Sequence, residues 1–193
     1  MGRTQAFDTE NVIRAARTVF WEQGYEEASL PDLERATGLS RSSIYHAFGS
    51  KRGLFDAALT SYLGEIIRPR LLPLTAPTVA PDAIVDYFTG LREALARRGT
   101  LSADNGCLLL NVAGAPISNE EAVSATIAQY RQELGAALLC GITAHRAELD
   151  SAAQQQLALI LSSLVIAAMT LARVDNPQSL ATLDMALTLL DNQ

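Results

Sequence analysis

Cysteine is scarce in this 193-residue chain: the two present, Cys107 and Cys140, stand far apart and outside any CxxC spacing. That excludes a disulfide framework and argues against a thiolate zinc site. Prolines and glycines are few, seven and 12, and no low-complexity tract occurs, which removes the disordered and fibrous classes. No repeat at a period of about 20 to 50 residues is visible, so a stacked solenoid is not indicated. The start of the chain lacks an apolar signal-peptide core, and the longest uncharged apolar run, 157–172, falls short of the roughly 20 residues that span a bilayer. The expectation is a cytoplasmic protein without a membrane partner. No Ser/His/Asp or Cys/His arrangement, phosphate-binding Gly loop or paired metal-ligand motif is found, so neither an enzyme, a metal site nor a cofactor is expected.

Apolar content is ample. Hydrophobic residues make up 49% of the chain and charged residues 19%, enough to bury a sizeable core in one medium domain or in a small head on a larger body. The net charge of −6 is unevenly spread. Residues 1–70 carry nine Lys/Arg and nine acids, so the whole deficit falls in the remainder. Within the first part, residues 35–52 hold four cations, Arg35, Arg41, Lys51 and Arg52, and no carboxylate. A local basic patch, not global charge, sets phosphate attraction.

Helical periodicity dominates, and no alternation long enough for a strand occurs. The first helix starts near Asp8 or Thr9, shows Val12, Ile13, Ala16, Val19 and Phe20 on one face, and stops at Gly24. Ser29 caps a second short helix, with Pro31 in its first turn and Asp32 three residues after the cap. Gly38 breaks it, Leu39 packs inward, and Ser40 caps a third helix running through Phe48. A fourth runs over about 51–67, and the prolines from Pro69 to Pro81 mark the clearest break in the chain. Further helices are expected at about 82–97, 106–113, 119–146, 150–174 and 177–192.

Two short helices around a Gly-containing turn at 29–48 have the spacing of a helix-turn-helix, whose second helix enters the major groove of DNA. Arg41, Ser42 and Ser43 occupy the first turn of that second helix, where base edges are met. Arg41 can bond bidentately to guanine, and the two serines allow close backbone approach. Tyr45 and His46 are placed to reach phosphate or a thymine methyl group. Lys51 adds a cation to helix N-terminal donors already suited to phosphate. Ser29 and Ser40 complete the set as cap residues, and Arg3, in the arm before the first helix, has a conceivable minor-groove role. Arg35 and Arg52 are read equally as solvated charges or phosphate contacts.

The motifs FDTENVIRAARTVFWEQGYEEASLPDL, ATGLSRSSIYHAFGSK and GLFDAAL, from Phe7 to Leu59, resemble together the DNA-binding head of the TetR family of transcriptional regulators. The resemblance implies an all-α protein with an N-terminal three-helix helix-turn-helix head and a C-terminal helical ligand-binding and dimerisation body, about nine helices in all. The division falls at 1–50 and 51–193. It also implies a homodimer that represses by binding a palindromic, double-stranded operator and is released by a small apolar or amphipathic effector. The other open reading is an architectural DNA-binding protein with no effector.

In the body, the last two helices are so apolar that they need a partner beyond their own length. Leu157, Ile160, Leu161, Leu164, Ala168, Leu183 and Leu187 are the candidates for a four-helix interface with a second copy, against the alternative of an intramolecular core. Tyr62, Ile66, Phe88, Leu91, Cys107, Leu108, Asn111, Tyr130, Leu134 and Met169 are the candidates to line an effector pocket, each also readable as core. The stretch GCLLLNVAGAP resembles a motif in the body of some TetR-type proteins. Cys107, near a helix start, is open to a redox or electrophile-sensing reading, set against that of a buried small hydrophobe.

Overall fold

The structure is a computed structural model and describes residues 8–191, so Arg3 lies outside the described residues. Every regular element among them is helical. In chain order these are α1 (Thr9–Glu27), α2 (Leu30–Thr37), α3 (Arg41–Phe48), α4 (Lys51–Tyr62), α5 (Arg68–Leu71), α6 (Ala83–Ala96), α7 (Leu101–Asn105), α8 (Leu108–Ala113), α9 (Glu121–His145), α10 (Ser151–Leu171) and α11 (Asn176–Asp191). The short α7 is not announced by the sequence periodicity, because five residues are too few to show a helical stripe.

The head is built by caps and breakers. The Asp8 carboxylate accepts from the Glu10 and Asn11 amides at the start of α1, and Gly24, at φ 82°, interrupts that helix where a left-handed residue is required. Ser29 Oγ accepts from the Asp32 amide and Ser40 Oγ from the Ser43 amide, both at 3.2 Å. Between α2 and α3 the chain turns at Gly38, whose φ of 70° favours glycine. Phe20, Leu33, Ile44, Leu54 and Phe55, all fully buried, lock α1 to α4 around one centre. The Phe20 and Phe55 rings meet edge to face with centroids 5.0 Å apart. The apolar cluster then runs without interruption into the body, so α4 belongs to both halves.

Between α4 and α5 the rod does not end. It widens into a π turn over Leu63–Ile67 and continues into α5. The physical cause is Pro69, which has no N–H for the Glu65 carbonyl and whose ring would strike that oxygen in a regular helix. The sequence reading, which stops this helix near Ile67, stands short of α5 for that reason.

The body packs α10 between α9 and α11, with α6 against both α9 and α11. Gly106, at φ 66°, lets the α7–α8 connection touch α10, since a Cβ there would stand 2.1 Å from the Met169 carbonyl oxygen. With 21 residues, α10 has the length and hydropathy to cross a membrane, which the unbroken run 157–172 alone does not suggest. In the fold one face of it, with Ala158, Leu161, Val165, Ala168 and Met169, packs on α8, α9 and α11, while Leu159 and Ile160 on the rest stay exposed.

Candidate nucleic-acid interface and effector cavity

The third helix divides into two faces. Ile44 is fully buried against the head core, worth about 1.5–3 kcal/mol to the docking of the helix. Arg41, Ser42, Tyr45 and His46 all lie on the opposite side and are exposed. The Arg41 guanidinium stands 5.5 Å from the centre of the Tyr45 ring, and the Arg41 amide donates to Glu34 at 2.5 Å, which fixes the helix start against α2. Ser40 is exposed beside them and Ser29 is exposed at the start of α2, while Ser43 is half-buried and its amide is held by the Ser40 cap. The result is a cationic, hydroxyl-rich ridge with the dimensions of one helix, the shape that a major groove admits.

Lys51 sits differently. Its ammonium lies 4.6 Å from the Tyr25 ring centre and 3.4 Å from the Glu26 carbonyl oxygen, and burial lowers its pKa. In this conformation the side chain folds back on the end of α1 and does not point outward. Arg52 pairs with Asp56 and Glu120, and Arg35 pairs with Asp32 at 2.9 Å while remaining largely exposed. The Arg41 guanidinium is therefore the one exposed arginine head of the 35–52 segment without a carboxylate partner among the described residues.

Head and body are joined by contacts the sequence does not disclose. Trp21, buried on α1, donates from Nε1 to the Gly106 carbonyl at 3.2 Å, and its ring meets that of Tyr62 at 4.9 Å. The Glu26 carboxylate accepts from the Ile117 amide at 3.0 Å. Arg17, a buried arginine on the apolar side of α1, donates to Ser61 at 2.8 Å and to Glu65 at 3.1 Å. A lone arginine at a core position of α1 was the available signal for that last link.

Of the ten pocket candidates, Leu91, Tyr130, Leu134 and Met169 line a narrow cavity together with Ile67, Arg70, Leu71, Tyr87 and Val165. The cavity is only about 20 Å³, room for about one water. Ile66 is displaced from it by Ile67, because the π turn adds one residue to the register counted from Tyr62. Phe88 is fully buried in the core and its neighbour Tyr87 takes the cavity side, the two rings lying perpendicular at 5.3 Å. Asn111 donates to the Asn105 carbonyl at 2.8 Å and ties α8 to α7. Tyr62, Cys107 and Leu108 form the adjoining core.

Cys107 is completely buried at the N-cap position of α8, where its side chain makes no cap bond, and it interacts electrostatically with Tyr62 and Tyr130. Burial nevertheless pushes the thiol up, which favours the neutral, unreactive form.

Among the interface candidates, Leu161, Ala168 and Leu183 are fully buried within this chain, so they hold α10 to α11 before any partner arrives. Leu157, Leu164 and Leu187 are half-buried, and Ile160 is 41% exposed. Leu159 and Met185, which the sequence reading does not single out, are exposed to 65% and 54%. A helix apolar all round carries no signal of which side faces inward.

The profile described as "Bacterial regulatory proteins, tetR family" matches residues 12–58. The uncharacterized HTH-type transcriptional regulator YezE of Bacillus subtilis is 43% identical over 88 residues, 46% of this chain and 45% of that protein. The HTH-type transcriptional repressor ComR of Escherichia coli is 32% identical over 111 residues, 57% of this chain and 51% of that protein. The chain thus spans about half the length of these curated relatives. Among solved structures, the TetR family transcriptional regulator CifR, a cysteine mutant complexed with 26-bp double-strand operator DNA, is 33% identical. It superimposes with a TM-score of 0.75 over 96% of this chain and 98% of its own. Agreement from end to end at that identity, with a helix-turn-helix whose outer face is exposed, places this chain in the TetR family of bacterial regulatory proteins and not among enzymes.

Proposed function

We propose that this protein is a cytoplasmic transcriptional repressor that binds a palindromic operator as a homodimer and leaves it when a small molecule occupies the body. The observation that carries the reading is the outward face of α3, where Arg41, Ser42, Tyr45 and His46 stand together while Ile44 anchors the helix behind them. Ser29, Ser40 and Ser43 supply neighbouring hydroxyls for phosphate, and Lys51 joins them if it unfolds from Tyr25. The operator-bound state of CifR supports the same use of the head. Residues 1–50 act as the DNA-binding part and 51–193 as the sensing and dimerising part, although α4 packs in both.

Release follows from α4. Its C-terminal Tyr62 touches Trp21 of the head and neighbours Cys107 of the body, so an effector that favours a different seat for Tyr62 shifts the head with it. Tight binding alone shifts nothing; the effector has to prefer the conformation that cannot span two half-sites. The test is selection of bound duplexes from random sequence with the full chain. An inverted repeat with half-sites about one helical turn apart is the expected result. Recovery of sequences without any inverted repeat leaves the architectural reading instead.

A further inference from the structure

Partly buried arginines in this protein meet carboxylates. Arg17 meets Glu65, Arg52 meets Asp56, Arg92 meets Asp184, and Arg146 meets Glu148. Arg70 breaks the pattern: it is half-buried on α5, and no carboxylate among the described residues stands within 4 Å of it. Its side chain forms part of two walls at once. On the inner side it lines the small cavity with Tyr87, Tyr130 and Leu91. On the outer side it lines, again with Tyr87 and Leu91, an open groove of about 550 Å³ walled by Pro69, Pro73, Ala76, Ala80 and Gly90. Arg70 and Tyr87 therefore form the neck between a space that takes one water and a space that takes a small organic molecule.

An unpaired guanidinium in a partly dry wall is costly, and the cost is recovered when an anion arrives. Its planar fork matches a carboxylate with two parallel hydrogen bonds. Burial holds the Tyr87 and Tyr130 phenols well above their ordinary range, so both are neutral O–H groups beside that cation. Outside the neck, the groove walls are small and apolar, with Thr78 and Asp86 the remaining polar residues. The exposed Asp86 disfavours a second negative charge in the same groove.

We propose that the neck is a carboxylate-recognition site, and that the effector is a monoanion whose apolar body fills the outer groove while Arg70 and the Tyr87 hydroxyl hold its head. This rests on the reading of the body as an effector sensor and names the effector's chemistry. Arg70 follows the π turn by three residues, so the anion is gripped by the same rod that carries Tyr62 and the head.

The test uses the full chain and matched eight-carbon probes: octanoate, octan-1-ol, octylamine and the dicarboxylate suberate. Calorimetry without DNA reads binding, and fluorescence anisotropy of the selected operator reads release. Octanoate is expected to bind at least about tenfold more tightly than octan-1-ol, octylamine or suberate, the order expected of a charge-assisted pair. In Arg70→Gln the octanoate advantage over octan-1-ol is expected to fall to about twofold or less with octan-1-ol affinity unchanged. Arg70→Lys should keep part of the advantage, and Tyr87→Phe, which preserves the ring, should weaken octanoate about fivefold. Unfolding of each unliganded variant at the parent temperature separates lost recognition from lost fold. Equal binding of all four probes, no binding of octanoate, or an undiminished octanoate preference in Arg70→Gln overturns the proposal. Octanoate bound with its Arg70 dependence intact, but without operator release, upholds the site and sinks the sensor reading.

Discussion

Arg41 carries more of the outward face of α3 than any other side chain, because it alone there presents an exposed guanidinium that no carboxylate pairs. Arg41→Ala is expected to cost about 1–3 kcal/mol on the preferred operator and to relax base choice at one position of each half-site. Lys51→Ala should weaken all sequences alike and reduce the salt slope by about one. Both effects are read by anisotropy across a salt series, and parent-like binding by both variants would move the interface off α3. The two cysteines offer a second contrast. Cys140 is exposed and Cys107 is buried with a raised pKa, so one thiol per chain should react promptly with a disulfide reagent and the other only on unfolding. Prompt reaction of two thiols in the native protein, or of one in Cys140→Ser, would show that Cys107 is open to attack.

Glu65 sits inside the π turn that links head and body, and it accepts from Arg14 at 2.9 Å and from Arg17 at 3.1 Å. The Arg14 hydrogen bond is the main reason its carboxyl lies below the ordinary value of 4.5, with Arg17 and Ser61 adding to it. A lowered carboxylate pKa stabilises the fold fully above the ordinary value and loses that contribution as pH falls through the lowered one. Glu65→Gln should therefore lower stability near neutral pH by about 1 kcal/mol, a modest figure because water screens the group. On a chain of this length that is a fall of about 2–4 °C in Tm. The gap between parent and variant should close as pH falls through the lowered carboxyl pKa, and a gap that stays constant with pH would refute the assignment. The same element shows where periodicity misleads: a strict i, i+4 count from Tyr62 points to Ile66, whereas the extra residue of the π turn brings Ile67 to the cavity. Pro69 is visible in the sequence as a breaker, but whether it ends the rod or widens it depends on what the rod packs against.

Assembly depends on surface that a single chain leaves open. Leu159, Ile160 and Met185 form exposed apolar ground on α10 and α11, of the kind a second subunit covers. Light scattering should give a mass twice the 20.7 kDa of the chain. Leu159→Glu should yield monomers with unchanged helicity, since the side chain is 65% exposed within one chain, and should abolish tight operator binding. A dimer unaffected by that change would place the interface elsewhere.

The head was legible in its local features, though not in its contacts with the body. Its caps, Ser29 and Ser40, its left-handed Gly24 and Gly38, and its basic stretch free of carboxylates act over a few neighbouring positions, and such local rules leave their marks in the order of residues. The body was legible as helices but not as surfaces. Which side of α10 turns inward, why Arg17 is buried, why Tyr87 and not Phe88 meets the cavity, and why Arg70 stands without a partner all follow from contacts between residues far apart in the chain. Long-range packing selects among faces that look alike along a helix of uniform hydrophobicity, and no periodicity distinguishes them beforehand.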